Sequence, residues 1–319
     1  MMHNLEGISF EEVTNGSGVS YTEYRKTLRP NYLVTWLYIV GGMLGIAGLC
    51  IAAWYLQLRY PDWFWFSIPL FSIFAGFWIA FVSLFIHEAG HFYLHPDKKI
   101  NDNLANIVLG SWLGLDIKAY RKIHWQHHLH LATAGDTENS YHNAISLSFI
   151  IETLSGIHLL RVITNKNNKE FLGKDLSKRS LYMLLTGLLI NLVILSVSIY
   201  YFHWQFALTW ILAMIIFFPF FATIRQIIEH RDELALNEKS FYKTTRGRVS
   251  RLFSNSITSR LFGPAGFNKH MIHHWDPHLP FTALGRVEKF LQQCSRTREI
   301  VESSRTTYFS VLKKMLFTR

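Results

Sequence analysis

Four stretches of the chain are almost wholly apolar and contain no Asp, Glu, Lys or Arg. They cover residues 33–56, 64–86, 181–202 and 205–224 of the 319 residues. Each is long enough to form a helix across the hydrocarbon core of a bilayer, which is roughly 30 Å thick and takes about 20 helical residues. Buried core helices are the alternative, but four charge-free runs of this length are unusual outside membranes. The pattern therefore predicts an all-α integral membrane protein with four transmembrane helices.

Aromatic residues gather near the ends of these stretches, as in the interfacial belt of a membrane protein. They are Trp36, Trp54, Tyr55, Tyr60, Trp63, Trp65, Tyr200, Tyr201 and Trp204. The segment before the first stretch is acidic and lacks the short basic region and small-residue cleavage site of a signal peptide. We therefore expect the first helix to be retained in the mature chain.

Lysine and arginine fall almost wholly on one side of the predicted spans. Of the 32 such residues, 3 precede the first stretch, 11 lie between the second and third, 17 follow the fourth, and only Arg59 lies in an opposite turn. Because positive residues stay in the cytoplasm, both termini and the active site are predicted to be cytoplasmic. Anionic lipid headgroups account for the net charge of +10. With no nucleic-acid motif, we expect membrane lipids and no nucleic acid as partners.

The chain is predicted to form one catalytic domain in three parts. These are a cytosolic N-terminal segment at 1–32, the transmembrane helices at 33–224 with a cytosolic loop at 87–180, and a cytosolic C-terminal part at 225–319.

Shorter segments differ from the four spans. Residues 104–115 are apolar but too few to span, so we expect them to lie in the interface or to re-enter. Apolar positions recur at helical spacing within 147–157, which predicts an amphipathic helix on the membrane surface. Residues 165–169 and 246–259 are predicted to be polar, basic connectors.

Ten of the 16 histidines fall in four groups on the predicted cytoplasmic side. The groups are HEAGHFYLH from His87, HWQHH from His124, the single His230, and HMIHH from His270. On a helix, the spacing i, i+3, i+4 puts three imidazoles on one face, and i, i+4 does the same for two. Random placement would give about 0.04 HxxHH motifs, whereas two are present, so the pattern indicates metal binding.

The number of histidines indicates two metals. Neutral imidazole binds zinc, copper and iron, but eight or nine ligands exceed what one tetrahedral ion can use. A histidine-rich pair of irons at a membrane surface points to oxygen activation and attack on an unactivated C–H bond, which no side chain performs alone.

The motifs resemble the three histidine boxes of the membrane fatty acid desaturase and hydroxylase superfamily. HEAGH, HWQHH and HMIHH occur in the family's order, with spans between the second and third. The stretch YRKIHWQHHLHLATAGDTE looks like the second box with its trailing acidic pair, and FNKHMIHHWDPHLP is similar to the third. The resemblance runs from about residue 64 to residue 284.

The resemblance implies a cytosolic helical cap over four membrane helices, two non-haem irons, and O2 as oxidant. The implied metal ligands are His87, His91, His124, His127, His128, His230, His270, His273 and His274. His230 matches an extra ligand that the family has outside the boxes. One turn before it the acyl-CoA desaturases of this type have a water-bridging Asn, whereas this chain has Gln226, which leaves open either the outer ligand of the second metal or the closeness of the kinship.

Several further polar residues are candidates for supporting roles, and none is assigned a catalytic role beyond metal binding. Carboxylates that can orient an imidazole N–H are Glu88, Asp136, Glu138, Glu229 and Asp232. His95 and His130 are expected behind the ligands or towards headgroups. Asn268 is expected to shape the turn before the third box, together with Gly263, Pro264 and Gly266. Surface or interface positions are expected for His3, His142, His158, His203 and His278.

The boxes do not fix the reaction. A fatty acyl desaturase is the favoured function, and a fatty acyl or carotenoid hydroxylase is the alternative. HEAGH is also an HExxH zinc-protease motif, but a site-2-type intramembrane protease would leave both HxxHH motifs unused, and GLDIKAY at Gly114 lacks that family's context. A metal transporter would need polar groups inside the spans, where no histidine or carboxylate lies.

The electrons are expected to come from a separate protein. Two cysteines, Cys50 and Cys294, cannot form an iron–sulfur site, and a disulfide is not expected. A basic cytoplasmic surface that includes Arg246, Arg248, Arg251 and Arg260 would attract an acidic ferredoxin or cytochrome.

Overall fold

The computed structural model describes residue 5 and residues 7–131, 133, 135–142, 145–157, 171–202, 204–231 and 250–317. Within these residues the regular structure is almost entirely helical, so the predicted all-α class is confirmed. The strands described are Leu252–Phe253 (β1) and Arg305–Thr306 (β2), which pair in parallel.

The α-helices of the described residues are numbered in chain order. They are Tyr21–Thr27 (α1), Tyr32–Arg59 (α2), Phe64–Ser83 (α3), Phe85–Gly90 (α4), Lys98–Leu104 (α5), Ser111–Leu113 (α6), Ile117–His130 (α7), Leu147–Leu154 (α8), Lys174–Phe202 (α9), Trp204–Leu212 (α10), Phe218–His230 (α11), Ile257–Phe262 (α12), His270–Trp275 (α13), Phe281–Gln292 (α14), Ser295–Ser303 (α15) and Tyr308–Phe317 (α16). Wider π-helical turns, Ala105–Gly110 and Ala213–Phe217, follow α5 and α10.

Four helical segments are long and apolar enough to cross a membrane, as predicted. They are Tyr32–Arg59, Pro61–Gly90, Lys174–Tyr201 and Trp204–His230. Each begins before one charge-free run and contains it, except that the third segment ends one residue short of residue 202. The third segment begins at Lys174, before its charge-free run starts at residue 181. Arg179 lies in this additional part of the helix, where its charge is paired with Asp116 (2.9 Å). In this third segment only 11% of the most apolar window is buried within the protein. The exposed remainder is the kind of apolar surface that a transmembrane helix presents to lipid.

The chain divides into two compact units. The apolar unit comprises Trp36–His124 and Ser146–Ile224, and the terminal unit comprises Met1–Thr35, Trp125–Ile145 and Arg225–Arg319.

Close backbone contacts hold the helices of the apolar unit together. A Cβ built on Gly187 of α9 would lie 2.7 Å from the Cα of Gly114, which itself has φ +71°. A Cβ on Gly76 of α3 would lie 2.4 Å from the Cβ of Phe217. Small residues that let helices approach closely are the usual means of packing helices in lipid, where no hydrophobic effect drives them together.

Replacing Gly187 by Ala is expected to destabilise the protein by about 1–3 kcal/mol, because the added methyl group overlaps the backbone of Gly114. The measurement is the midpoint of thermal unfolding in detergent. Gly48→Ala is the matched control, since a Cβ there meets nothing within 4 Å. Equal midpoints for both variants would contradict the close contact.

The segment predicted as an amphipathic surface helix forms α8. Phe149 and Thr153 are its buried residues, and Gly156 beyond its end lies against Ile215 of the second π-helical turn. Leu147 and Ile151 are exposed, at 74% and 57%. The exposed face is therefore apolar, and its place on the membrane surface stays a prediction, as does that of residues 104–115.

The N-terminal segment packs into the core of the terminal unit. The Tyr21 hydroxyl donates to Asp276 Oδ2 (2.9 Å), and Arg25 donates to Oδ1 of the same fully buried carboxylate (2.9 Å). Trp275 Nε1 donates to the carbonyl of Ile8 (2.9 Å). Because Trp275 and Asp276 directly follow the third histidine box, residues of the first segment fix the position of that box.

The predicted polar connector at 246–259 is wrong for its described part. Arg251 is only 3% exposed, and Leu252 and Phe253 are fully buried as strand β1. A short sequence rich in Arg and Ser suggests a solvated linker. The segment is buried instead, because β1 pairs with β2 and Arg251 donates to buried backbone carbonyls. Arg251 therefore cannot belong to a basic surface. Arg260 is exposed, whereas Arg246, Arg248 and residues 165–169 lie outside the described residues.

Candidate metal centre

The first histidine pair lies at the end of a short buried helix. His87 is on α4, and His91 follows as its C-terminal cap, one turn later. Both side chains are buried, at 3% and 6% exposure. Phe92 then has φ +66°, a left-handed conformation that ends the helix and is rare for a bulky residue. Backbone strain of this kind is concentrated at functional sites.

The end of α4 is held by polar side chains. The Arg121 guanidinium donates to the carbonyls of Gly90 (2.8 Å) and Ala89 (3.2 Å) and pairs with Asp102. Asn101 Nδ2 donates to the same Ala89 carbonyl (3.0 Å). The last carbonyls of a helix lack partners within the helix, and a cation there is favourable. Arg121 thus fixes the first box against α7, which carries the second.

His124 of α7 completes a three-histidine cluster in the apolar unit. Its Nε2 lies 3.1 Å from Nε2 of His91, and its ring centroid lies 4.5 Å from that of His87. Each of the three offers a ring nitrogen within 4.8 Å of the others. Tyr120 stacks on His124 with centroids 5.4 Å apart. Glu88, predicted to orient a ligand, lies with Oε1 3.3 Å from His87 Nδ1.

A second cluster lies in the terminal unit. His127, His230 and His274 offer ring nitrogens within 4.8 Å of one another. His270 Nε2 lies 2.8 Å from that of His230 and 3.1 Å from that of His274. The pair His128 and His273 has its Nε2 atoms 3.1 Å apart.

A tight turn positions the third box. Gly266 and Ala265 both have positive φ, +81° and +51°. A Cβ on Gly263 would lie 2.3 Å from the Tyr308 hydroxyl, and the N–H of Asn268 donates to the Gly263 carbonyl (3.1 Å). The expected turn-forming roles of Gly263, Gly266 and Asn268 agree with this geometry.

A carboxylate holds the ring of His127. The two oxygens of Asp136 lie 2.9 and 3.1 Å from His127 Nδ1, and the Tyr141 hydroxyl donates to Oδ2. The backbone N–H of Glu138 donates to Asp136 Oδ1 (2.8 Å). A carboxylate on Nδ1 keeps the proton there, so the Nε2 lone pair is available to a metal.

Two buried arginines fix the helix that ends at His230. Arg251 donates to the carbonyls of Ile228 (2.7 Å) and Arg231, and its own carbonyl accepts from Met271 N–H (2.9 Å). Arg231 donates to the carbonyls of Tyr141 (3.1 Å) and His142. Arg251 thus links the end of α11 to α13, which carries the third box.

Replacing Arg251 by Met is expected to destabilise the protein by about 2–4 kcal/mol, because two buried carbonyls lose a charged donor. We also expect less metal per purified chain, since His230 loses its link to α13. Thermal unfolding and metal analysis test this. Arg260→Met, at an exposed arginine, is the control. A wild-type unfolding midpoint for the Arg251 variant would contradict the inferred link.

Glu229 was predicted to orient a histidine ring, but its partners are other side chains. It pairs with Arg225 and accepts from the Tyr308 hydroxyl (3.0 Å). Arg225 in turn lies 4.3 Å above the ring of Phe267. Gln226 Nε2 donates to Glu138 Oε2 at 3.4 Å, a long hydrogen bond.

The other histidines lie away from these clusters or have structural roles. His95 Nδ1 accepts from the N–H of Asp97 (3.0 Å), and His130 and His278 are exposed. The surface or interface position expected for His142 is wrong, because the residue is 6% exposed and packs edge-on against Tyr141. His3, His158, His203 and Asp232 lie outside the described residues.

Burial and neighbouring charges shift the pKa of several histidines of the site. Burial, together with the neighbouring imidazoles, lowers the pKa of His270 and His274 well below the ordinary value. Burial also acts to lower the pKa of His127, but Glu138 and Asp136 outweigh it, so that pKa is raised. Metal ligands must be neutral imidazoles.

A metal fits this arrangement better than hydrogen bonding alone. A neutral imidazole has one N–H, and that of His127 is held by Asp136 on the side away from the cluster. Where the Nε2 atoms of His230, His270 and His274 converge, an N–H can join only two of the nitrogens at a time, whereas a bound cation would accept the lone pairs of all three. The described residues therefore present donor sets typical of zinc, copper or iron.

A cavity of about 450 Å³ reaches this site within the terminal unit. His128 and His274 form part of its wall, and the apolar side chains of Ile8, Met271 and Trp275 form another part. The cavity has the size of a pocket for a small organic molecule or part of a longer one.

Asp116, the acidic residue of GLDIKAY, holds helix ends together and does not serve as a metal ligand for the protease alternative. Its Oδ1 accepts from the N–H groups of Lys118 (3.1 Å) and Ala119 (3.0 Å), capping α7, and its Oδ2 pairs with Arg179. Its hydrogen-bonding capacity is thus used in fixing helices.

Comparison with known proteins identifies the family. A family model for fatty acid desaturases matches residues 62–305, which is well over half of the chain, and the nine histidines predicted as metal ligands lie within this range. The search of curated proteins finds no match. With three histidine motifs inside the matched region and four helices able to span a membrane, the chain belongs to the fatty acid desaturase family.

Proposed function

We propose that this chain is an O2-dependent fatty acyl desaturase that introduces a double bond into an aliphatic chain. The observation that carries the proposal is the convergence of buried imidazole nitrogens, with Nε2 of His270 at 2.8 Å from that of His230 and 3.1 Å from that of His274. The family match supports oxidation of an acyl or lipid substrate at a membrane.

The proposed ligands of two non-haem irons are the nine histidines of the boxes and α11. They are His87, His91, His124, His127, His128, His230, His270, His273 and His274. When bound, such a centre would supply the O2-derived oxidising power that an unactivated C–H bond requires. Asp136 orients His127, and Arg121 and Arg251 hold the helix ends that carry His87, His91 and His230.

The proposed substrate site is the cavity of about 450 Å³ beside His128 and His274. Its apolar wall at Ile8, Met271 and Trp275 suits the methylene groups of an acyl chain. The outcome at the reacting carbon depends on its placement, because removal of a second hydrogen gives a double bond, whereas transfer of oxygen gives an alcohol.

The topology and the electron supply complete the proposal. Both termini and the site are proposed to lie on the cytoplasmic side, following the distribution of lysine and arginine. Cys50 and Cys294 are both free thiols. Electrons are therefore proposed to come from a separate ferredoxin-type or cytochrome-type carrier.

The test is analysis of acyl chains after expression in a host that supplies electron carriers. We expect a new species lighter than its parent by two hydrogens, absent with His273→Ala. A species heavier by one oxygen, also dependent on His273, would assign the chain as a hydroxylase. No new acyl species from a folded, iron-loaded protein supplied with reductant would refute acyl oxidation.

A further inference from the structure

Two helices of the terminal unit expose large apolar side chains. On α12 these are Ile257, Leu261 and Phe262, and on α16 they are Phe309, Leu316 and Phe317; we call these six residues the α12–α16 patch. Phe309, Phe317 and Ile257 are 76%, 77% and 78% exposed. Exposed apolar residues are ordinary when scattered, but several on adjacent helices mark a surface that binds something.

The exposed face of α16 is not a result of loose packing. The opposite face is fixed, because Tyr308 stacks on Phe253 with centroids 3.8 Å apart and its hydroxyl donates to Glu229 (3.0 Å). Val311, one turn later, is fully buried. Phe262 lies 6.1 Å from Tyr308, ring to ring, which makes α12 the neighbour of α16.

Basic residues lie among the apolar ones. Ile257, Arg260 and Leu261 share one face of α12, and Phe309, Lys313 and Phe317 share one face of α16 by the i, i+4 rule. Neither helix contains an Asp or Glu. Apolar stripes with interspersed Lys or Arg are typical of helices that lie in a membrane interface, where the long basic side chains reach headgroups.

We propose that the α12–α16 patch rests on an anionic bilayer, with its apolar side chains at the acyl boundary and Arg260, Lys313 and Lys314 among the headgroups. The charges favour anionic lipid. Because the same chain carries four helices able to span a membrane, the terminal unit is covalently tethered to a bilayer. The fatty acid desaturase match ends at residue 305, so α16 lies outside it. This inference does not depend on the proposed reaction.

The test places a spin label on the patch in the full chain. Phe317→Cys and Phe309→Cys, with Cys50 and Cys294 replaced by Ala, are labelled and reconstituted in nanodiscs of phosphatidylcholine with phosphatidylglycerol. We expect label collisions with oxygen to exceed those with a water-soluble nickel complex. A label at Glu302→Cys, on the exposed polar surface of α15, is expected to show the reverse.

Charge reversal tests the anionic part of the proposal. Lys313→Glu with Lys314→Glu should move the Phe317→Cys label towards water in discs that contain phosphatidylglycerol, with a smaller change in pure phosphatidylcholine. The proposal is overturned if the label is water-exposed in both kinds of disc. It is also overturned if protection appears only on adding an acidic electron carrier, or only when two copies share a disc, since the patch would then bind protein.

Discussion

Replacing His274 by Ala is expected to abolish acyl oxidation, with a loss of at least about 100-fold, and to lower bound iron by about one ion per chain. The reason is that His274 lies within 4.8 Å of the ring nitrogens of both His127 and His230, and 3.1 Å from that of His270. Removing it takes a nitrogen donor from the centre of the cluster. Loss of a direct ligand should exceed the 10–100-fold effect typical of outer partners.

A matched control separates this effect from a general loss of histidine. His130→Ala removes an exposed imidazole two residues after His128, and we expect wild-type iron and activity. Iron is measured by elemental analysis of detergent-purified protein and activity by product analysis. If His274→Ala kept the iron and activity of His130→Ala, the second cluster would not be a metal site.

Replacing Asp136 by Asn is expected to lower activity and metal affinity by about 10–100-fold, the range for partners of a ligand histidine. The two oxygens of Asp136 together accept from His127, Tyr141 and the backbone of Glu138. An amide offers one oxygen, so its NH2 group must face one of these donors. The ring of His127 then loses the carboxylate that fixes its proton on Nδ1.

Tyr141→Phe is the graded control for this prediction. It removes one of the donors to Asp136 but leaves the carboxylate on His127, so we expect a loss several-fold smaller than that of Asp136→Asn. The rate of iron loss to a chelator gives a measure that does not depend on turnover. If Asp136→Asn released iron no faster than wild type, Asp136 would have no orienting role.

The transmembrane helices and the histidine boxes could be predicted because both follow from short-range spacing. Four charge-free runs locate four helices, and the i, i+3, i+4 pattern places three imidazoles on one face of α7 and of α13. The helix ends were less predictable, as the start of the third span at Lys174 shows. Its early turns depend on the ion pair between Arg179 and Asp116, which are far apart in sequence.

Two residues that support the site were not predicted from the sequence. Tyr141 and Arg251 belong to no motif, yet one binds Asp136 and the other joins the end of α11 to the third box. A basic connector and a surface histidine were natural predictions for Arg251 and His142 from their local neighbours. Both predictions are wrong because Arg251 is buried against backbone carbonyls and His142 is buried against an aromatic ring. The pattern of a single sequence does not show which residues have such partners.

Metal analysis of the purified wild-type protein is the direct test of a di-iron centre. We expect about two irons per chain, with a Mössbauer spectrum of high-spin non-haem iron in nitrogen-rich coordination. One tightly bound zinc per chain, with peptide cleavage that depends on Glu88, would contradict it and would favour a zinc protease.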